Sequence, residues 1–308
     1  MPISLPPISR RRFLAGSLAA GAAALLPDGL RAAQQPADPR RWILLADTHI
    51  AENRDQVRRG VKPAEGFVQT RREILALPAR AAGVLVAGDC VYLEGKPGDY
   101  RVLAEEVKPL RQSGLPLHFA LGNHDNRGNF SAAFADALPK PAGGPPVANP
   151  PVADKYVALL ESPHANWFLL DSLLKTNHTP GELGKAQLDW LARSLDARAD
   201  KPAIVLAHHD PDNGLGNGLL DTKAFFEVLA PRKQVKAYVF GHTHRWQLSE
   251  HEGIHLINLP ATAWVFAAAE ARGWVDATLT ADGINLELHC LDPKHPKHGE
   301  KAELKWRT

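Results

Sequence analysis

Trp42-Ile43-Leu44-Leu45-Ala46-Asp47-Thr48-His49 sets how the rest of the chain is read. Residues 42–46 are apolar throughout and close directly on a polar triplet, the pattern of a buried strand that ends at a site. Asp and His one residue apart on an extended strand end face the same way, so Asp47 and His49 can grip one ion. The pattern recurs four times along the chain. Residues 84–87 lead into Gly88-Asp89, and residues 117–121 into Gly122-Asn123-His124-Asp125. Residues 204–207 lead into His208-His209, and residues 237–240 into Gly241-His242-Thr243-His244. His242 and His244 repeat the spacing of Asp47 and His49, with the same consequence. Five strands would thus each deliver ligands at their C-terminal ends, where open α/β sheets place their sites.

Working outward, helical periodicity over 67–82 and 99–112 separates the first three strands, which predicts a parallel sheet with right-handed crossovers. Further strand-like runs fall at 156–160, 167–171, 203–207, 235–240, 254–258, 274–280 and 284–291. Amphipathic helices are expected at 184–195 and 222–229. Asp282-Gly283 joins the last two strands as a hairpin turn. The Pro/Gly-rich stretch 139–151 reads as a surface loop. Two packed sheets flanked by helices account for this many strands, and one domain fits better than two.

With 44% hydrophobic and 23% charged residues among 308, the chain can bury a substantial core. Its N-terminus is a separate matter. Ser9-Arg10-Arg11-Arg12-Phe13-Leu14, an Ala-rich apolar run and Ala32-Ala33 form a charged region, a short apolar region and small residues near a cut. The twin arginine resembles a twin-arginine export signal, which implies the corresponding translocation machinery as partner and a periplasmic or secreted location. Residues 1–33 are therefore set apart from a catalytic domain at 34–308. The apolar run is shorter than the roughly 20 residues a bilayer span needs. Without residues 1–33 the chain carries 32 basic and 33 acidic side chains, and no basic cluster suggests a nucleic-acid surface. Cys90 and Cys290 are expected as buried free thiols.

Carboxylate, amide oxygen and imidazole together suit manganese, iron or zinc. Two such ions about 3.5–4 Å apart can clamp a phosphoryl group. Asp-x-His, Gly-Asp, Gly-Asn-His-Asp, a mid-chain His and Gly-His-x-His, in this order between Asp47 and His244, resemble the calcineurin-like metallophosphoesterases. The resemblance implies an α/β fold, a four-layer α/β/β/α sandwich with two mixed sheets. It implies a dinuclear centre in which Asp47, His49, Asp89 and His244 hold one ion, and Asp89, Asn123, His208 and His242 the other. A hydroxide shared by the ions would be the nucleophile, and His124 would assist the leaving oxygen. Asn126-Arg127, Leu170-Asp171-Ser172 and Gly181-Glu182-Leu183 with Gln187 to Leu191 resemble the bacterial class III cyclic-nucleotide phosphodiesterase and glycerophosphodiesterase branch.

The activity so implied is hydrolysis of small phosphodiesters, with a phosphomonoesterase or a non-catalytic metal-binding scaffold as alternatives. Arg127, Tyr92, Asp125, His209 and Asp210 are carried as residues that contact substrate or orient a ligand. Tyr92 stands where many members have Asp. Gly88-Asp89-x-x-Tyr92 is similar to purple acid phosphatases, but those lack the histidine that this chain has at His49.

Overall fold

β2 (Ala37–Leu45) shows how the chain builds two cores at once. Ile43 and Leu45 face one way, and Trp42 and Leu44 the other, so both faces of the strand are buried. The computed structural model describes residues 4–5, 37–134 and 152–308. The remaining strands are β1 (Ser4–Leu5), β3 (Arg80–Ala87), β4 (Leu117–Ala120), β5 (Ala158–Glu161), β6 (Asn166–Leu169) and β7 (Ala203–Leu206). They continue with β8 (Val235–Phe240), β9 (Gln247–His251), β10 (Ile254–Asn258), β11 (Gly273–Leu279), β12 (Gly283–Cys290) and β13 (Lys301–Lys305). The helices are α1 (Pro63–Leu75), α2 (Pro97–Gln112), α3 (Arg127–Ala133), α4 (Lys185–Asp196) and α5 (Thr222–Leu229).

One sheet has seven strands in the order β1-β4-β3-β2-β11-β12-β13, and the other six in the order β5-β6-β7-β8-β10-β9. Both are mixed. β2, β3 and β4 run parallel, while β11 joins β2 antiparallel. In the second sheet β6, β7, β8 and β10 run parallel, with antiparallel β5 and β9 at the edges. Trp42, Leu44 and Leu85 of the first sheet pack with Trp167, Ile204, Leu206 and Val239 of the second in one apolar layer. The outer face of the first sheet packs Val84, Val86 and Phe119 against Phe67, Leu103 and Val107 of α1 and α2. The outer face of the second packs Phe168, Val205 and Tyr238 against Leu191, Leu195 and Phe225 of α4 and α5. The four layers are therefore helix, sheet, sheet, helix.

Several element limits differ from the sequence reading. α1 spans Pro63–Leu75, not 67–82, because Pro63 starts it and Pro78 follows soon after its end. β3 consequently begins at Arg80. α3, β9 and β13 had no counterpart in the pattern, nor had β1, which pairs antiparallel with β4 although residues 1–33 were set apart from the fold. β9 alternates too weakly to read as a strand, since only Leu248 among its residues is not exposed. Cys90 and Cys290 are both buried and free, as expected. Residues 6–36 and the Pro/Gly-rich stretch 139–151 lie outside the described residues. No helix among the described residues is long and apolar enough to cross a membrane.

Candidate metal centre

All five motif turns sit at the C-terminal ends of β2, β3, β4, β7 and β8, and backbone bonds tie them together. Asp47 N–H donates to the Gly88 carbonyl at 3.1 Å and His49 N–H to the Asp89 carbonyl at 3.0 Å. Gly241 N–H donates to the His208 carbonyl at 3.0 Å. Glycine is needed where the turns press on each other. A Cβ at Gly122 would lie 2.3 Å from Asp89 Oδ1, and one at Gly241 would lie 2.5 Å from Asp47 Oδ2. Five candidate ligands adopt the left-handed region that costs an L-residue energy: Asp47 (φ 53°), His49 (44°), Asp89 (48°), His242 (69°) and His244 (54°). Strain of this kind collects at functional sites, where the surrounding structure holds it.

Side-chain donors gather in three overlapping groups. Asp47, His49 and His244 offer ligand atoms within 4.8 Å of one another, as do Asp47, Asp89 and His208, and His208, His209 and His242. His244 Nε2 lies 3.3 Å from Asp47 Oδ1 and 3.2 Å from His49 Nε2. His208 Nε2 lies 3.4 Å from Asp89 Oδ1, 3.2 Å from Asn123 Oδ1 and 3.2 Å from His242 Nδ1. Backbone carbonyls decide which ring nitrogens carry protons. His208 Nδ1–H donates to Ala87 O (2.8 Å), His244 Nδ1–H to Trp264 O (2.6 Å) and His242 Nε2–H to Asn217 O (2.9 Å). In the neutral rings His208 Nε2 and His242 Nδ1 are thus bare lone pairs facing each other, with an amide oxygen beside them. Acceptors converge in this way around cations.

Electrostatics point the same way. Burial alone would depress His208, yet the Asp89 carboxylate lifts it to about 9, so the field between the two aspartates favours positive charge. Burial also opposes ionisation of Asp89, but His208 and His124 outweigh it and hold the carboxyl well below its usual range. Burial pushes His49 down to about 3 and His242 to about 4, keeping both neutral and able to ligate. Asp47 Oδ1 is buried with no hydrogen-bond partner among the described residues. The donor set therefore fits a pair of metal ions.

His124 stands beside this cluster, not in it. Its N–H donates to Asp89 Oδ1 (2.8 Å) and its Nδ1–H to Leu93 O (2.8 Å). That leaves Nε2 3.9 Å from Asp89 Oδ2 and facing the cavity. Asp125 is a buried brace: it accepts from Gly122 N–H (2.9 Å), Cys90 N–H (3.2 Å) and the Tyr100 hydroxyl (3.0 Å). Burial and the neighbouring Asp89 raise its carboxyl to about 6.

Both nitrogens of His209 are occupied, Nδ1 by the Ser172 hydroxyl (2.7 Å) and Nε2 by Thr179 O (2.9 Å), so it supports the wall next to His208 and His242 without a free lone pair. Arg127 turns away from the cavity and forms a two-pronged bond with Asp171 (2.7 and 2.8 Å), with a further contact to Leu173 O. Tyr92 sets its ring edge-on to Trp264 at 6.2 Å. Asp210 lines the cavity, and burial raises its carboxyl to about 6.

The cavity over these donors measures about 530 Å³ and brings in residues that no sequence motif marked. Arg58, Arg245, Trp264 and Phe266 line it, as do Asn177 and Asn217. Trp264 arrives because Ala263 N–H bonds to Asp47 O (3.1 Å), and its ring stacks on His49 at 4.1 Å. Asn177 arrives because its N–H bonds to Asn123 O (2.6 Å). Both links join distant loops by backbone, which leaves no trace in side-chain spacing.

A four-layer sandwich with buried carboxylates, histidines and an amide at the ends of its strands defines a dinuclear phosphoesterase. Residues 41–246 match the family model for calcineurin-like phosphoesterases, and the chain belongs to that family. It is a metal-dependent hydrolase of phosphoric esters. Residues 7–27 match the twin-arginine translocation signal, which directs export.

Among the relatives is the 3′,5′-cyclic adenosine monophosphate phosphodiesterase CpdA of Haemophilus influenzae. It is 29% identical over 255 residues, covering 81% of this chain and 85% of that protein. The glycerophosphodiester phosphodiesterase GpdQ of Enterobacter lignolyticus is 27% identical over 224 residues, covering 71% and 76%. A dimetal phosphatase from Danio rerio shares the fold with a TM-score of 0.63 at 15% identity, covering 88% of this chain and all of that one.

Proposed function

We propose that the protein hydrolyses small phosphodiesters, with Asp47, His49, Asp89 and His244 holding one ion and Asp89, Asn123, His208 and His242 the other. The placement of His124 carries the reading. Its Nδ1–H is fixed on Leu93 O, so Nε2 can hold a proton at the cavity beside the shared ligand Asp89. The names of the relatives from H. influenzae and E. lignolyticus support a diester. The oxygen and nitrogen donors suit manganese, iron or zinc. When bound, two such ions lower the pKa of water and offset charge on the phosphoryl oxygens.

The chain's own contribution is positional. Water's oxygen bonds to phosphorus as the ester P–O bond breaks, and its electron pair leaves on the alcohol oxygen. His124 Nε2 gives that oxygen its proton, and the proton shed by water restores the ring. Trp264, stacked on His49, and the buried Asp125 hold the surrounding turns in register.

A phosphomonoesterase is the second reading, favoured by Arg58 and Arg245 at the cavity, which could meet a dianion. The two separate on kcat/KM for bis(p-nitrophenyl) phosphate and p-nitrophenyl phosphate. The diester is expected to be preferred at least about tenfold, equivalent to 1.4 kcal/mol. Preference for the monoester would overturn the diesterase reading.

A further inference from the structure

One flank of the cavity carries aromatic and guanidinium groups that the metal centre does not use. Trp264 is only 4% exposed, and its ring and carbonyl both support ligand histidines. Phe266, two residues on, is 53% exposed, with its ring 4.6 Å from that of His244 and turned to the same cavity. Among the large hydrophobic side chains left exposed in the described residues, Phe266 is the one ring and the one that lines this cavity. The neighbouring loop reinforces it. Arg59 sets its guanidinium 4.8 Å from the Phe266 ring, and Arg58 sets its own 5.9 Å from Trp264. A tight turn fixes both, closed by Arg58 N–H to Val61 O (2.9 Å) and Val61 N–H to Arg58 O (3.1 Å). No carboxylate partners Arg58 among the described residues, whereas Arg245 faces Glu270 at 3.5 Å. The flank where Asn177 and Asn217 adjoin Asn123 and His242 offers amides but no comparable ring.

We propose that Phe266, with Arg58 and Arg59 beside it, forms a stacking subsite for a planar aromatic group esterified to the phosphate, a nucleobase or an aryl ring. The aromatic face takes the ring, and the Arg58 guanidinium meets its polar edge or the charge of the phosphodiester. A glycerol-type alcohol has no π face and gains nothing there. Stacking of a base on an aromatic side chain contributes about 1–3 kcal/mol, so the subsite selects aromatic over aliphatic diesters. The inference rests on the diesterase reading above and specifies its substrate class.

The test is a selectivity ratio: kcat/KM for bis(p-nitrophenyl) phosphate over kcat/KM for glycerophosphoethanolamine, in the wild type, Phe266→Ala and Phe266→Trp. Because each variant is compared with itself, general loss of folding or metal cancels. The ratio is expected to fall about tenfold in Phe266→Ala, through KM for the aromatic diester more than kcat, and to return in Phe266→Trp. An unmoved ratio, with the wild type turning over diesters, would overturn the subsite alone. Wild-type turnover confined to monoesters would overturn both the subsite and the diesterase reading.

Discussion

His124 and the proposed ligand residues differ in how their side chains are restrained, and that difference predicts separable effects. Asp47, His49, Asp89, His242 and His244 take positive φ, a conformation costing roughly 1–2 kcal/mol apiece for a residue with a Cβ. Interlocking backbone bonds hold them there in the folded chain. His124 takes no positive φ, lies outside the donor groups and keeps its Nε2 turned to the cavity for substrate. Removing it should therefore spare the metals and slow proton delivery. In His124→Ala, hydrolysis of an alkyl diester is expected to fall by about 10²–10⁴, the usual range for a lost general acid. The loss for a p-nitrophenyl diester should be much smaller, because that leaving group departs without a proton. Equal losses on both esters, or loss of bound metal, would contradict an acid role.

At the scale of elements, the loops after β4 and β6 are locked by one ion pair. Asp171 is fully buried, and its carboxylate takes both prongs of Arg127 together with the N–H groups of Tyr156 and Leu173. Cutting one partner of a buried pair leaves an uncompensated charge, at a cost of about 3–5 kcal/mol. Arg127→Ala should lose stability on that scale in urea unfolding, while the KM of the folded fraction for a phosphoester stays within about twofold. A large rise in KM with unchanged stability would instead make Arg127 a substrate anchor.

Strand ends and the candidate donors at them were legible because apolar runs and donor spacing are local. Arg58, Trp264 and Phe266 were not, since backbone bonds such as Ala263 N–H to Asp47 O bring them in from unpatterned loops. The engagement of His209 with Ser172 and Thr179 was equally hidden, because a His-His pair looks alike whether one ring or both are free.

Across the whole molecule, the two sheets share a single apolar layer, and the C-terminal segment crosses between them. β13 pairs at the edge of the first sheet, and the Arg307 guanidinium then bonds Val235 O (2.9 Å) at the start of β8, Glu252 O (2.9 Å) in the β9–β10 turn and Arg232 O (2.7 Å) just before β8. This packing brings the ends of β2, β3 and β4 against those of β7 and β8, so neither sheet alone assembles the donor set. Asp89 contacts groups from both sheets, lying 3.7 Å from His49 Nε2 and 3.4 Å from His208 Nε2. Metal content per chain tests this arrangement most directly, measured by elemental analysis of the wild type and Asp89→Asn after saturation with manganese. Two equivalents are expected for the wild type and at most one for Asp89→Asn, since the missing charge serves both positions. One equivalent or none in the wild type, or two retained in Asp89→Asn, would contradict a centre built around that carboxylate.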